Sequence, residues 1–165
     1  MRIAATILLL ALLLGACACG GTSTTTTTSA SGKVVVSCHI RLARTKFLLH
    51  TGIAAAGFYR YIYRPHRAGA FKNGAPGRKK ALAKAAATTA VMIHELRIAS
   101  RDARCDGPTL KKLAKPLDAV FGPLDSLRAG LATGGGIGAI AAVQAALNNF
   151  TRASGAAGVP VHGGS

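Results

Sequence analysis

The sequence predicts an all-α fold, an antiparallel four-helix bundle, behind a cleaved leader and a Thr-rich tether. Three observations carry that expectation. An unbroken apolar heptad joins Leu110, Leu113, Leu117, Val120, Leu124, Leu127 and Leu131. A second stripe, Leu82, Ala85, Thr89, Met92, Leu96, Ala99 and Ala103, lies in an Ala-rich stretch. The loops between periodic segments carry Pro, Gly and Asn. Amphipathic helices joined by short turns bury their apolar faces against one another.

The elements follow in order. Met1-Arg2 precedes Ile3–Leu14, an apolar run interrupted by a single Thr. A short positive start and a run too short to span a bilayer describe a secretory leader over 1–16. Residues 17–36 hold TSTTTTTSASG, with no large apolar side chain before Val34. This composition predicts a disordered tether with a reach of roughly 20 Å, whose threonines are possible glycosylation sites. Lys33–Ser37 (KVVVS) favours extended backbone but has no evident partner strand.

The helical domain is expected over 37–152. In its first helix Ile40, Ala43, Phe47, His50, Ala54, Gly57 and Tyr61 form the inner stripe, and Pro65 ends it. The second helix runs from Arg78 to about Cys105, and Asp106-Gly107-Pro108 stops it. Thr109 is a plausible N-cap for the third. Pro116 and Pro123 fall inside the heptad, so the third helix is expected to be kinked or split while keeping one buried face. Gly134-Gly135-Gly136 breaks it, and Ile137–Phe150 is the fourth helix. Its apolar part is far short of a bilayer span, so packing is favoured over insertion. A disordered Gly-rich tail is expected over 153–165.

Cysteine placement bears on compartment. An antiparallel hairpin pairs residues whose numbers sum to a constant, here near 143 from the loop centre. Cys38 and Cys105 meet that sum, so outside the cytoplasm they are expected to form a disulfide. It would close 68 residues and stabilise the fold by about 4 kcal/mol in the chain-entropy model. Free thiols and a metal ligand beside His39 are the alternatives. Cys19 has no evident partner.

The same sum places His50 and His94 at one depth, with Glu95 beside them. Such a set could hold a metal or haem. The plainer reading is core histidines hydrogen-bonded to each other or to Glu95, and no metal or cofactor is assigned. His94-Glu95 opens no HExxH pattern, and no second Glu-x-x-His exists.

Charge points to partners. Lys and Arg number 21 against 5 acids, and losing Arg2 with the leader leaves 20 against 5, or +15. Arg60, Arg64, Arg67, Lys72, Arg78, Lys79, Lys80 and Lys84 fall in a stretch without an acid, interleaved with Tyr59, Tyr61, Tyr63 and Phe71. This positive pole is expected to attract anionic lipid headgroups or cell-wall polymers. Free nucleic acid is a further candidate, although no nucleic-acid-binding motif is present. A merely solvated basic surface is the plainest alternative. Catalysis finds little to stand on. The acids are scattered, and there is no G-x-S-x-G elbow or phosphate loop. A membrane-disrupting cationic protein is a further reading.

Leu14-Gly15-Ala16-Cys17 resembles the lipobox of bacterial lipoproteins. The resemblance implies cleavage before Cys17, lipidation of its thiol, and attachment to the outer face of the cell membrane. Ordinary cleavage after Ala16-Cys17-Ala18, giving a secreted chain, is the alternative. SCHIRLARTKFLLHTGIAAAGFYRYIYRPHRAGAFK and HELRIASRDA resemble a family of secreted helical proteins from actinobacteria without an assigned activity. No functional residue carries over from it.

Overall fold

The computed structural model describes the backbone of residues 22–28 and 34–40, and all atoms of 42–105 and 107–161. The leader over 1–16, Cys17 and Cys19 lie outside the described residues, as do the last four residues of the chain.

The described residues are mainly helical, and the elements run in this order. Strands β1 (Thr22–Thr28) and β2 (Val34–Ile40) precede α1 (Ala43–Phe58), a π-helical segment (Tyr59–Tyr63) and a short α2 (Arg64–Arg67). Then come α3 (Arg78–Cys105), α4 (Pro108–Asp118), α5 (Phe121–Ala132) and α6 (Ala139–Ala156). The long α3 is central and packs against α1, α4 and α5, while α6 covers α4 and α5. His50 of α1 bonds to Glu95 of α3, and Gly57 lies against Thr88. Seven residues forward on one helix are therefore seven back on the other.

The Thr tract departs from the expected disordered tether. β1 and β2 pair antiparallel, with Thr22 opposite Ile40 and Thr28 opposite Val34. Thr and Val are both β-branched, and that stiffness favours extended backbone. The run read as an unpartnered lead-in thus has its partner in the Thr tract itself. The strand also takes His39 and Ile40 from the expected first helix. Leu42 then turns the chain at φ 61, and α1 begins one residue later.

Pro65 does not end the helix either. The chain stays helical to Arg67, because the five residues before α2 widen into a π turn. The Arg64 N–H donates to the Tyr59 carbonyl, five residues back. A π insertion changes which carbonyls need donors, so a residue lacking an N–H can follow it without breaking the rod. The buried stripe runs through Phe47, Thr51, Ala54 and Phe58 to Ile62, so Phe58 and Ile62 take the inner places expected for Gly57 and Tyr61, and Tyr61 is 41% exposed.

The Leu heptad is buried at all seven positions. The chain splits there into α4 and α5, with Ala119 and Val120 between them. Both keep near-helical dihedrals, φ −64 and ψ −14 then φ −79 and ψ −26, so the seam is not displaced. Pro123 falls in the first turn of α5, where the N–H it lacks would have no intrahelical partner. Pro116 lies inside α4, where it removes the bond to the Lys112 carbonyl, and α4 ends two residues later. Gly107, not Thr109, takes the N-cap position of α4, with Pro108 first inside it.

The seven stripe residues of α3 are also buried. Ile140, Val143 and Phe150 dock α6 into the same core, and Phe150 meets Phe47 at 6.1 Å between ring centroids. The expected disordered tail is ordered as far as Val161. α6 continues to Ala156, and Val159 and Val161 are buried beyond it. Gly158 turns at φ 70, and Val159 N–H donates to the Ser154 carbonyl at 2.9 Å. Arg44 of α1 donates to the Gly158 carbonyl. A glycine closing a helix at positive φ is a cap, and here it leads two valines into the core. Cys105, at the end of α3, is disulfide-bonded. β2, which carries Cys38, runs against α3; the Cys38 side chain is outside the described residues.

Candidate functional site

The positive pole is built from the end of α1, the π turn, α2 and the start of α3. Arg60, Arg64, Arg67, Lys72, Lys79, Lys80 and Lys84 are exposed. The π turn arms two of them. Its five-residue spacing sets the Arg64 guanidinium 5.5 Å from the centroid of the Tyr59 ring. Arg60 lies 5.6 Å from the Tyr61 ring, and Tyr59 stacks on Tyr63 at 5.6 Å. Cation–π contact holds these guanidinium groups without neutralising them. Neither ion pair among the described residues, His50–Glu95 and Arg104–Asp118, involves this set.

Three of these cations converge. Arg60, Lys80 and Lys84 line a cleft of ≈ 360 Å³ whose remaining walls are Tyr61, Pro65, Gly77 and Ala81. Arg64, Arg67, Lys72 and Lys79 lie on the surrounding surface and do not line it. Arg78 is placed differently from the other seven of the expected set. It is half-buried, with Nε donating to the Phe71 carbonyl at 3.0 Å and Nη2 to the Gly134 carbonyl at 2.7 Å. Carbonyl acceptors leave its charge in place, but the two bonds hold the guanidinium inward and tie two loops together. Nothing in the spacing of Arg78-Lys79-Lys80 distinguishes the first residue from the next two.

Beside the cleft runs an apolar groove of ≈ 470 Å³ between α1 and α3. Gly57, Ala56 and Ala87 leave room between the ridges of Ile53 and Val91, which are 43% and 51% exposed. Arg60 and Tyr61 border both the groove and the cleft. Sequence reasoning missed this groove. The signal available was the run of small residues facing Val91, an apolar residue off the buried stripe.

The histidines do not face each other. His50 Nδ1 lies 2.5 Å from Glu95 Oε2, whereas His94 is exposed and lines a separate cleft of ≈ 570 Å³ near Arg97, Arg101 and Asp125. The hundred-degree step between neighbouring helix positions decides this: Glu95 points at α1, so His94 cannot. In that cleft Arg104 Nη2 donates to Asp118 Oδ2 at 2.6 Å and Ser100 Oγ to Asp118 Oδ1 at 3.0 Å. Among the described residues no group of three or more His, Cys, Asp and Glu side chains is placed to hold a metal ion.

Asp102 stands apart. It is 6% exposed, and its Oδ2 has no hydrogen-bond partner among the described residues. Burial raises its pKa, against the smaller opposing pull of His50, Lys46 and Arg101.

The chain matches no protein-family model, curated protein or solved structure. The chemistry of the surface is therefore what bears on its role. Among the described residues no helix is long and apolar enough to cross a membrane.

Proposed function

We propose that this is an exported, non-catalytic protein that binds anionic envelope material through its positive pole. One observation carries the reading: seven exposed cations ring one end of the α1–α3 pair, in a stretch from residue 60 to 84 that contains no acid. A concentrated single-sign surface with no internal counter-charge attracts polyanions. In the proposed architecture the helices form an antiparallel four-helix bundle, α4 and α5 together serving as one member. The contacts His50–Glu95 and Gly57–Thr88 support that arrangement. Cys105 pairs with Cys38 in this reading, and the disulfide suits a chain working outside the cytoplasm. Cleavage before Cys17 and its lipidation would place the domain on the outer face of the cell membrane, where anionic headgroups and wall polymers lie within reach.

Co-sedimentation with vesicles of phosphatidylglycerol and phosphatidylcholine, and with an anionic wall polymer, tests the reading. Binding should fall steeply as salt rises, since screening shortens the Debye length from about 10 Å at 0.1 M to about 3 Å at 1 M. Lys79, Lys80 and Lys84 changed together to Gln should weaken binding roughly 100-fold, at about 1 kcal/mol per lysine near an anionic surface. Binding unchanged by salt or by these substitutions overturns the proposal. A dye trapped in the vesicles should stay inside, because the apolar residues Ile140, Val143 and Phe150 of α6 are already buried in the core. Release of the dye would point instead to a membrane-disrupting protein.

A further inference from the structure

We infer that the groove between α1 and α3 seats one acyl chain of an anionic lipid whose phosphate sits among Arg60, Lys80 and Lys84. The inference rests on the anion-binding reading above and narrows it from polyanions in general to an amphiphile.

Three features argue for this occupant. First, the groove is apolar and open: Ile53 and Val91 stay about half exposed, although they flank a buried core. An isolated exposed apolar residue needs no explanation, but a lined concavity does. Secondly, the concavity is made by the smallness of Ala56, Gly57 and Ala87. A Cβ on Gly57 would stand 3.2 Å from the Thr88 methyl, so the two helices meet closely at the floor of the groove, and the small Ala56 and Ala87 leave the space above it open. Thirdly, the groove opens at one end onto the cationic cleft, with Arg60 and Tyr61 shared by both. From Ile53 to Arg60 the helix rises about 10 Å. An apolar channel of that length, closed by three cations, matches a molecule with a hydrocarbon tail and a phosphate at its end. A wall polymer would meet the cations and leave the groove empty. Tyr61 stands at the junction, where an aromatic ring with a polar tip suits the boundary between hydrocarbon and headgroup.

Calorimetric titration of the purified mature chain with dodecyl phosphate below its micelle concentration tests this, beside inorganic phosphate and soluble polyphosphate. The expected result is saturable one-to-one binding of dodecyl phosphate, about tenfold or more tighter than inorganic phosphate. Ala87→Phe, which fills the groove from an exposed helix position, should lower dodecyl phosphate affinity to that of phosphate while leaving polyphosphate binding unchanged. Ala56→Phe is the second filling variant should the first unfold, and circular dichroism checks both. Wild-type affinity for dodecyl phosphate in a folded filling variant overturns the groove and leaves the anion-binding reading standing. Failure of the wild type to bind either dodecyl phosphate or polyphosphate overturns both. A concentration-dependent dimer that Ala87→Phe dissolves would assign the groove to a second copy of the chain and overturn the lipid.

Discussion

Arg78 Nη2 donates to the Gly134 carbonyl at 2.7 Å, joining the start of α3 to the turn between α5 and α6. The same guanidinium donates from Nε to the Phe71 carbonyl at 3.0 Å. One side chain thus fixes two loops at the positive end of the molecule. Arg78→Gln should lower stability by about 2 kcal/mol, the scale of hydrogen bonds to a charged donor. The neighbouring Lys79→Gln should leave stability within about 0.5 kcal/mol. Anion binding should respond in the reverse order. Chemical denaturation of both variants, with vesicle binding measured in parallel, checks this. Equal loss of stability in the two variants would remove the distinction between them.

His50 and Glu95 form the other internal link, and their side chains are 20% and 17% exposed. Truncating Glu95 to Ala leaves His50 short of its partner inside the α1–α3 interface, at about 1–3 kcal/mol. His50→Ala should cost a similar amount. The double variant should lose less than the sum of the two, with a coupling energy of about 0.5–3 kcal/mol. Additive losses in urea denaturation would mean that the 2.5 Å contact contributes nothing specific. Addition of a divalent metal should not raise the melting temperature, since His94 lies on another surface and cannot complete a ligand set.

A backbone contact supplies a third prediction. A Cβ on Gly130 would stand 2.2 Å from the Gly136 Cα, closer than any side chain tolerates. Gly135 N–H donates to the Gly130 carbonyl at 2.8 Å in the same crossing. Gly130→Ala must therefore push the turn away from α5, as overpacking does, at about 1–3 kcal/mol. Gly122→Ala, where nothing stands within 4 Å, should be neutral or mildly stabilising. Their melting temperatures should separate by several degrees; coincident values would contradict the close approach.

Much of this fold was legible in the sequence, and the misses have physical causes. The heptad over 110–131 could be read because seven large apolar residues hold one spacing, and the interrupting prolines fall near helix ends where that spacing survives. The π turn could not be read from periodicity, because the buried pair on either side of its start, Phe58 and Ile62, is four apart, a spacing that an ordinary α-helix also shows. The tail was obscured by its glycines: Gly158 is a helix cap, and the informative residues were Val159 and Val161. The Thr tract is polar, which favours disorder, but it is also β-branched, which favours the backbone pairing it makes. At the candidate site the charge run was plain from composition. Which arginine faces inward depends on carbonyls 7 and 56 residues away, and no local pattern encodes that.

The docking of α6 gives a fourth prediction. Phe150 is 2% exposed and its ring meets that of Phe47, itself fully buried. Phe150→Ala should cost about 3–5 kcal/mol, combining lost apolar burial with the cavity left behind. If α6 instead left the core for a bilayer, the substitution would barely change stability in water and would reduce vesicle leakage. Large destabilisation with no leakage in either protein is the expected pair of results.

Asp102 makes stability depend on pH in a stated direction. Burial disfavours its charged form, so its folded pKa lies above the ordinary value near 3.8, despite the opposing pull of His50, Lys46 and Arg101. Below the carboxylate range both folded and unfolded chains hold this proton, and the group has no effect. As pH rises through the ordinary value, the unfolded chain releases its proton first. The folded chain then binds more protons than the unfolded one, and stability falls with rising pH until the folded group also ionises. Above that window the loss is complete and constant. Asp102→Asn keeps the shape and removes the ionisation, so it should be more stable than the wild type at neutral pH, by a margin that shrinks as the medium is acidified. Urea midpoints at about pH 3 and about pH 7 bracket the window. A margin that is the same at both, or that grows on acidification, would show that the Asp102 carboxylate is held by a partner in solution.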